Sequence, residues 1–419
     1  MSLLTDLTRM YLTRSTSKFV FRNEYDEVLP YGEEQPGLYI HLPFCRKICH
    51  FCPYCKEPFE RAKADRYIDA LLSEIHMVGS QYEGRKKVTS LYFGGGTPAL
   101  LADRIGEIIR AVSEHFEITE GIGLELHPDN VSVPVLTLLK DAGVTKISIG
   151  VQSFLDKYQD VLGRDRVNAK QMAEALSEVS FETVSMDFIF ALPGQTFEDL
   201  KTDVDKAFAI GANHVAIYPF IDFTFTDSRV APMSKKQKRK LLDDITNYLL
   251  DRGCIRNSIW TFSDGGDGRK ASYSSMTRDT FLGFGCSATT LLKEQFKINT
   301  FSVEEYCGRI REGKLPTSLT LRFTRRQRMV YYLFWTFYST RATEEAFEQF
   351  FGVSLKKMYG FELWLAKRLG FLTEKDGTYE MTLKGAFYYH YYENYYTLAY
   401  IDKMWGIMRK EAFPEEISL

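Results

Sequence analysis

The chain has 419 residues, 45% of them hydrophobic and 26% charged, a composition that predicts a folded globular protein and excludes a disordered one. Its 53 basic and 55 acidic residues give a net charge of −2, which argues against a nucleic-acid partner. No apolar run reaches the roughly 20 residues of a membrane span, and the N-terminus lacks the apolar core of a secretion signal. We therefore expect a cytoplasmic protein whose clustered cysteines bind metal and do not form disulfides.

Six β-rich segments alternate with helical segments over the first half of the chain. The helical segments carry apolar residues at helical spacing, and two of them end in "DAG" and "AIG". Such alternation produces parallel βαβ units, and six units are too few for the usual eight-stranded barrel. We predict an α/β fold with a partial (βα)6 barrel, whose strands are Leu38–Leu42, Ser90–Gly95, Gly123–His127, Lys146–Gln152, Val184–Leu192 and His214–Phe220.

The same pattern predicts three regions. Residues 1–36 form an N-terminal extension, and residues 37–295 form the core together with its own C-terminal extension. From about residue 315 the composition shifts to basic and aromatic helical segments. This shift predicts a mostly helical C-terminal domain over residues 315–419.

Polar residues recur where the predicted strands end. The first strand runs into a cysteine-rich loop, and the second runs into the glycines of "FGGGTP". The other four ends carry Glu125 with His127, Gln152, Asp187 and Tyr218. In barrels and open α/β sheets, ligands bind at the C-terminal ends of the strands, so this convergence predicts an enzyme.

The cysteine-rich loop holds four of the seven cysteines, in "YIHLPFCRKICHFCPYCK". Zinc sites usually take two cysteine pairs from separate segments, whereas one short loop suits an iron–sulfur cubane. If Cys45, Cys49 and Cys52 each bind an iron, one iron stays open to an outside ligand, which is a catalytic feature. A structural zinc site, or a cluster fully capped by Cys55, is the alternative.

The spacing of these cysteines, with Phe51 before the third, resembles the signature of radical S-adenosylmethionine (SAM) enzymes. Five ordered motifs, "YIHLPFC", "FGGGTP", "GVQSF", "LGRD" and "DFIFALPGQT", are similar to those of one subfamily. That subfamily contains oxygen-independent coproporphyrinogen III oxidase with its heme-opening and C-methylating relatives. The resemblance runs from about Gly37 to Leu292. It implies a [4Fe–4S] cluster on Cys45, Cys49 and Cys52 that cleaves SAM to a 5′-deoxyadenosyl radical, which abstracts hydrogen from the substrate.

The resemblance also implies the contacts to SAM. Phe51 would lie against the adenine, and Arg164 would pair with the methionine carboxylate, although a solvated arginine is the simpler interpretation. Three residues of the glycine motif would touch the methionine end: Gly95, Gly96 and Thr97. Further contacts would come from Tyr39, Ile221 and Thr289, the last in a stretch that some relatives use for a second SAM.

Glu125, Gln152 and Asp187 complete the predicted SAM site. They lie among apolar neighbours, and an unpartnered carboxylate in such a strand is unfavourable. Ribose hydroxyls or the amino group of SAM would supply the partner, and an internal salt bridge is the alternative. Because the Thr289 stretch would serve a second molecule, the resemblance implies one or two molecules of SAM.

Cys55 is the candidate catalytic residue beyond the cluster. In the oxidase the fourth cysteine follows the third as C-x-C, whereas "CPYC" contains one more residue here. Residues 1–36 also show little of the oxidase's substrate-covering segment. Both differences favour a relative with another substrate.

The resemblance implies a small-molecule substrate such as a tetrapyrrole or another conjugated ring, and a one-electron donor such as flavodoxin or ferredoxin. Oxidation, ring opening and C-methylation all remain open. The arginines of "LRFTRRQR" (Leu321–Arg328) would bind the carboxylates of such a ring if they fold over the strand ends, although such a run is usually a solvated helix face. Alternatively the chain is a heme carrier, with His390 as an axial ligand.

Overall fold

The computed structural model describes residues 3–24, 35–226, 233–265 and 279–419. Residues 1–2 and 25–34 of the predicted N-terminal extension therefore lie outside the described part of the chain. No helix in these ranges combines the length and the apolar character needed to cross a bilayer.

The strands of the described ranges are short, as is usual for a twisted sheet. In chain order they are β1 (Val20–Arg22), β2 (Gly37–Leu42), β3 (Phe44–Cys45), β4 (Glu57–Pro58), β5 (Lys86–Val88), β6 (Leu91–Gly95), β7 (Phe116–Ile118), β8 (Ile122–Leu126), β9 (Lys146–Gln152), β10 (Thr183–Phe190), β11 (His214–Pro219), β12 (Ile255–Arg256), β13 (Thr261–Ser263), β14 (Phe281–Phe284), β15 (Thr289–Leu291), β16 (Gln295–Asn299), β17 (Thr317–Arg322), β18 (Arg341–Thr343), β19 (Leu372–Lys375), β20 (Thr378–Met381) and β21 (Glu416–Ser418).

The helices alternate with the strands through the core and dominate after residue 322. They are α1 (Leu3–Thr13), α2 (Arg61–Gly79), α3 (Ala102–His115), α4 (Val133–Asp141), α5 (Asp156–Leu162), α6 (Ala169–Glu178), α7 (Phe197–Ala209), α8 (Lys235–Asp251), α9 (Val303–Arg311), α10 (Arg325–Tyr338), α11 (Glu344–Phe351), α12 (Leu355–Arg368), α13 (Leu383–Tyr396) and α14 (Asp402–Met408). A π-helical turn, Thr397–Ile401, joins α13 to α14.

The six predicted core strands are confirmed and lie side by side in the order β11-β10-β9-β8-β6-β2, all parallel. Beyond β11 the sheet continues into antiparallel β13 and β12. On the other side β14 pairs with β2 in parallel, and β15, β16, β17, β1 and β21 follow. Since β2 and β11 each pair with an outer strand, the described strands form a partial barrel that does not close.

Strand alternation separates an apolar outer face from a polar inner face. In β2, for example, Leu38, Ile40 and Leu42 are buried in the main hydrophobic core, whereas Tyr39 and His41 lie on the opposite face. The outer residues pack under helices, which stabilises the barrel by removing apolar surface from water. The inner face is thereby free to carry polar chemistry.

The region after residue 315 is not purely helical. It contains the small sheet β18-β20-β19 and a second hydrophobic core that includes Met329, Phe347 and Leu363. Its strands β17 and β21, however, belong to the large sheet, where β21 pairs with β1. The two ends of the described chain therefore meet on one edge of the core sheet.

Candidate functional site

The cysteine loop runs between β3 and β4, which pair in parallel and fix its two ends. Cys45, Cys49 and Cys52 are half-buried, and none of them forms a disulfide. The Cys52 amide donates to the Cys49 carbonyl at 3.3 Å, and the Lys56 ammonium donates to the carbonyls of Cys49 and Cys52. The chain therefore holds the loop closed through its own backbone contacts.

Two side chains from other segments point hydrogen-bond donors at the cysteine sulfurs. Thr97 Oγ1 lies 3.8 Å from Cys45 Sγ, and Arg164 Nη1 lies 3.8 Å from Cys49 Sγ. Burial raises the pKa of the Cys45 thiol to about 11, and burial likewise raises the pKa of Cys52. The Cys45 and Cys52 thiols therefore keep their protons unless a metal displaces them, and the donors near Cys45 and Cys49 would stabilise metal-bound thiolates.

The glycine motif lies directly against the start of the cysteine loop. The amides of Gly96 and Thr97 donate to the carbonyls of Leu42 and Phe44, both at 2.8 Å. A Cβ on Gly96 would stand 2.6 Å from the Phe44 carbonyl oxygen, and Gly95 has a φ of +117° that side chains other than glycine rarely adopt. The glycines are therefore required by close backbone approach and by conformation.

Glu125, from β8, lies on the inner face beside this motif. Its carboxylate accepts hydrogen bonds from the Gly95 amide at 3.1 Å and from the Tyr92 hydroxyl at 3.2 Å. Burial, together with the nearby charge of Asp187, raises its pKa to about 7. Because both donors are neutral, the charge of Glu125 is solvated only in part.

Asp187, from β10, is held in the same way. The Ser148 hydroxyl lies 2.9 and 3.0 Å from its two oxygens, and the Ser185 hydroxyl lies 3.3 Å from one of them. Burial raises the pKa of Asp187 to about 6. Within the described ranges neither carboxylate has an ion-pair partner, so an internal salt bridge, the alternative for these residues, is not found there.

Two tyrosines extend this inner wall. The pKa of Tyr218 is raised by burial and then by Asp187, Tyr54 and Glu125, so these four side chains are neighbours. Tyr54, from the cysteine loop, keeps 51% of its surface accessible, although burial and Glu125 raise its pKa. Tyr54 is therefore a partly exposed ring near Glu125.

Tyr39 and His41 occupy the first strand of the inner face. His41 Nε2 donates to the Cys55 carbonyl at 3.0 Å, so in the neutral ring Nδ1 accepts from the Tyr39 hydroxyl at 3.0 Å. The Tyr39 ring also stacks on Tyr92, with centroids 6.4 Å apart. Tyr39 is thus placed beside Glu125 and the glycine motif, and its contact to SAM stays a prediction.

Arg164 and Gln152 lie near the same strand ends. Arg164 Nη2 donates to the Gly150 carbonyl at 2.7 Å, and its buried Nε has no hydrogen-bond partner among the described residues. Gln152 has a φ of +70°, and its amide nitrogen lies over Gly150, 3.1 Å from where a Cβ would stand. The guanidinium of Arg164, whose Nη1 lies near Cys49, is compatible with a bound carboxylate, but that role stays a prediction.

Phe51 and Ile221 approach the site from its far side. Phe51 packs in a small cluster with Ile189, Leu192 and Phe220. Ile221 is the next residue in the chain, just after β11. Both lie near the strand ends, and their contacts to SAM stay predictions.

Thr289 lies further away. It begins β15, level with Gly283 of β14, which in turn pairs with Tyr39 of β2. One strand, β14, therefore separates the strand of Thr289 from that of Tyr39.

A small open cleft lies between the cysteine loop and the strand ends. Predicted residues Cys49, Thr97 and Arg164 line it, together with His127. Burial lowers the pKa of His127 to about 4, so the ring is neutral, and its Nδ1 accepts from the Asp129 amide at 3.3 Å. The cleft therefore brings Cys49 and Arg164 to a surface that a ligand can reach.

Three predicted features do not join this group. The Cys55 sulfur is buried, 4.0 Å from Cys286 Sγ, and donates to the Phe301 carbonyl, so its catalytic role stays a prediction that these contacts do not favour. His390 is buried, with its ring 4.6 Å from that of Trp260, and is not presented as an open heme ligand.

The arginine run is the third, and its expected position over the strand ends is wrong. Arg328 is 2% exposed and donates to the carbonyls of Leu292, at 3.1 Å, and Asp279. Arg325 donates to the Phe351 carbonyl, and Arg322 pairs with Glu24 at 3.2 Å. These guanidinium groups make structural contacts, one within the C-terminal region and the others from it to the core and to the N-terminal segment.

The sequence analysis missed the C-terminal contacts to the cysteine loop. Arg409 donates to the Pro53 carbonyl, and Trp405 lies against Tyr54 with ring centroids 6.0 Å apart. Asp402 accepts from the Thr224 amide and hydroxyl at 2.8 and 2.7 Å. Since 356 residues separate Arg409 from Pro53, no local pattern could have shown this contact.

The residues present fit the cofactors that the resemblance implies. Three thiols leave one loop, donors approach two of their sulfurs, and two carboxylates that have no ion-pair partner among the described residues lie on the inner wall. When bound, a [4Fe–4S] cluster would supply one electron to split the sulfonium bond of SAM. Cys45, Cys49 and Cys52 would hold the cluster, while Glu125 and Asp187 would accept from the amine or hydroxyl groups of SAM.

Comparison with known proteins agrees with this arrangement. Residues 39–207 match the family model described as the radical SAM superfamily. The chain is 30% identical to the heme chaperone HemW of Lactococcus lactis over 271 residues, which cover 61% of this chain and 69% of that protein. It is 25% identical to HemW of Bacillus subtilis over 362 residues, covering 83% and 95% of the two chains.

Oxidases of the same group match as well. The oxygen-independent coproporphyrinogen III oxidase of Escherichia coli is 26% identical over 310 residues, which cover 68% of this chain and 67% of that protein. The solved structure of coproporphyrinogen III oxidase (HemN) from Escherichia coli superposes with a TM-score of 0.75 at 22% identity, covering 91% of this chain and 96% of that one. The overall fold is therefore shared, and the predicted fold class is confirmed.

Proposed function

Because the chain belongs to the radical SAM family that contains oxygen-independent coproporphyrinogen III oxidases and HemW, we propose that it cleaves SAM at a [4Fe–4S] cluster and acts on a tetrapyrrole. Cys45, Cys49 and Cys52 would bind the cluster. The electron would come from a donor such as flavodoxin or ferredoxin. The reaction that we favour is an oxidation of the coproporphyrinogen oxidase type.

One observation carries the SAM-cleaving part of this proposal. Glu125 and Asp187 lie beneath the cysteine loop with raised pKa values and only neutral hydrogen-bond donors in the described part of the chain. A buried carboxylate in this state is unfavourable until a cation or strong donors reach it. SAM carries a sulfonium, an ammonium and two ribose hydroxyls, so it supplies all the groups that this wall lacks.

The tetrapyrrole is proposed from the relatives, whose names refer to coproporphyrinogen and heme. Tyr54, Tyr218 and Trp405 support it, because aromatic side chains beside the inner wall suit a flat conjugated ring. Methylation of such a ring would require a second SAM, for which Thr289 is the predicted contact. We rank methylation below oxidation, since β14 separates the strand of Thr289 from that of Tyr39.

The test is an anaerobic incubation of the cluster-loaded protein with SAM, a reductant and one member of a panel: coproporphyrinogen III, coproporphyrin III or heme. We expect substrate-dependent 5′-deoxyadenosine and, from coproporphyrinogen, a product that has lost CO₂ and two hydrogens. The Cys49→Ala variant is the control and should form neither. If all three compounds remain unmodified and 5′-deoxyadenosine forms at the same rate with each of them, the tetrapyrrole proposal is contradicted.

Heme binding without turnover is the second candidate function, since HemW relatives align along most of their length. Heme titration followed by mass spectrometry separates the two candidates. A carrier would bind heme and return it unchanged, whereas an enzyme of the proposed kind would consume SAM in proportion to modified substrate. The His390→Ala variant should bind heme normally, because His390 is enclosed by Trp260 and Phe190.

A further inference from the structure

Cys55 and Cys286 form a buried pair of thiols that the proposed SAM chemistry does not use. Their sulfurs lie 4.0 Å apart although 231 residues separate them in the chain. Cys286 is 0% exposed and Cys55 is 7% exposed, and both are free thiols. Cys55 is the last cysteine of the cluster loop, so this pair joins that loop to the turn between β14 and β15.

The turn that carries Cys286 is held rigidly. The Gly285 amide donates to Glu74 Oε2 at 2.7 Å, and Asn299 Nδ2 donates both to Glu74 Oε1 and to the Gly285 carbonyl at 2.9 Å. The Cys286 amide donates to the Tyr67 hydroxyl at 2.9 Å. A buried network that is satisfied in this way fixes the Cys286 sulfur opposite Cys55.

The Cys55 side of the pair is fixed as well. Its carbonyl accepts from His41 Nε2 at 3.0 Å, and its thiol donates to the Phe301 carbonyl at 3.2 Å. A disulfide has a sulfur–sulfur bond of about 2.05 Å, so the two sulfurs must approach by about 2 Å. Rotation of the two side chains toward each other is the movement required.

A metal site is the competing interpretation, because His41 lies with these two thiols in one compact group. Both ring nitrogens of His41 are already engaged, one by the Cys55 carbonyl and the other by the Tyr39 hydroxyl. A metal ion would have to break one of these bonds and would still have only three ligands among the residues that the structure describes, one fewer than structural zinc requires. The contacts therefore favour a dithiol over a metal centre.

We propose that Cys55 and Cys286 are a peroxide-sensitive redox pair, which closes to a disulfide that ties the cluster loop to the β14–β15 turn. Cys55, the more accessible sulfur, attacks one oxygen of hydrogen peroxide; the O–O bond breaks and hydroxide leaves, giving a sulfenic acid. Cys286 then attacks the Cys55 sulfur, the S–O bond breaks, and a second hydroxide leaves. The two thiol protons convert both hydroxides to water, so the two sulfurs lose the two electrons that peroxide gains.

The experiment uses the anaerobically prepared, cluster-loaded full chain and hydrogen peroxide as the oxidant. After oxidation, free thiols are alkylated and the protein is digested with trypsin without reduction. The digest would join Ile48–Lys56, which contains Cys49, Cys52 and Cys55, to Asp279–Lys293, which contains Cys286. We expect this linked peptide in the wild type and its disappearance after treatment with dithiothreitol.

The variants identify the sulfurs. Cys55→Ser and Cys286→Ser should each lower the yield of the linked peptide at least tenfold, while Cys254→Ser, which removes another buried thiol, should leave it unchanged. An equal yield in Cys55→Ser would show that Cys49 or Cys52 is the partner and would overturn the proposal. The proposal would also be overturned if the anaerobic protein contained zinc, and if this zinc protected both thiols from alkylation until a chelator removed it. Because this readout does not use SAM, its failure leaves the proposed function untouched.

Discussion

The strand ends of the core and the first turn of α10 both concentrate charged side chains, but they use them differently. Arg325 and Arg328 donate to the backbone carbonyls of Phe351 and Leu292, so their charges stabilise the fold. Glu125 and Asp187 accept only from neutral donors in the described structure, so their charges remain available to a ligand. The comparison shows that a binding site is distinguished from a structural contact by the hydrogen-bond partners of its charged groups. The number of charged residues in a stretch of sequence does not distinguish them.

The largest effect is expected from the cysteines of the strand ends. Changing Cys45, Cys49 or Cys52 to alanine should abolish iron binding, because a corner iron then loses its protein ligand. Iron and sulfide analysis after anaerobic reconstitution measures this. Cys55→Ala is the matched control, since its sulfur is directed at Cys286, and it should keep about four irons per chain. Loss of iron in that variant would contradict the assignment of three ligands.

The second-largest effect is expected on stability, from the arginines of α10. Arg328→Ala should lower the free energy of unfolding by about 2–4 kcal/mol, because two buried carbonyls lose their donor. Denaturant titration of the cluster-free protein measures it. SAM affinity should be unchanged in the folded variant. A loss of SAM affinity at normal stability would indicate that the arginines belong to the binding site and not to the structural contacts.

The third effect tests the polar inner wall. Glu125→Gln and Asp187→Asn should each weaken SAM binding by about 10-fold to 100-fold, as expected when a charged hydrogen-bond partner is removed. Equilibrium dialysis with the cluster-loaded protein measures the affinity, and iron content should not change. Arg325→Ala, a charge change outside the wall, is the control. Wild-type affinity in both wall variants would remove the basis for placing SAM there.

The smallest effect is a pH dependence of stability. Burial raises the pKa of Asp187 from 3.8 to about 6. At pH values above 6 the buried carboxyl is ionised, and this destabilises the native state. The free energy of unfolding therefore rises as the pH falls through 6 toward 3.8. In the cluster-free protein Asp187→Asn should therefore be more stable than wild type at pH 8. That advantage should shrink by about 1 kcal/mol between pH 8 and pH 5. Thermal unfolding at the two pH values measures the difference; a constant difference would contradict the raised pKa.

Local patterns were sufficient to predict the barrel and the cysteine loop. The six core strands lie where alternating β-rich and helical segments place them. The glycines of the second motif are required because they contact the backbone at Phe44, next to the first cysteine of the loop. The continuation of the sheet through β14–β17, β1 and β21 was not predicted, because it joins segments such as Arg22 and Glu416 that are 394 residues apart.

The same limit applies to the site. The partner of Cys55 is 231 residues away, and the contacts of Arg328 are with residues 36 and 49 positions earlier. A run of arginines looks the same in the sequence whether backbone carbonyls or substrate carboxylates receive its hydrogen bonds. Only the packing of α10 shows which of these partners is used here.

The different roles of these two regions are tested most directly by measuring 5′-deoxyadenosine after anaerobic addition of SAM and a reductant. Wild type and an Arg325→Ala, Arg326→Ala double variant should form it at comparable rates, whereas Cys49→Ala should form none. Formation by Cys49→Ala at the wild-type rate, or its loss in a folded, iron-replete arginine variant, would contradict the assignment of the chemistry to the strand ends.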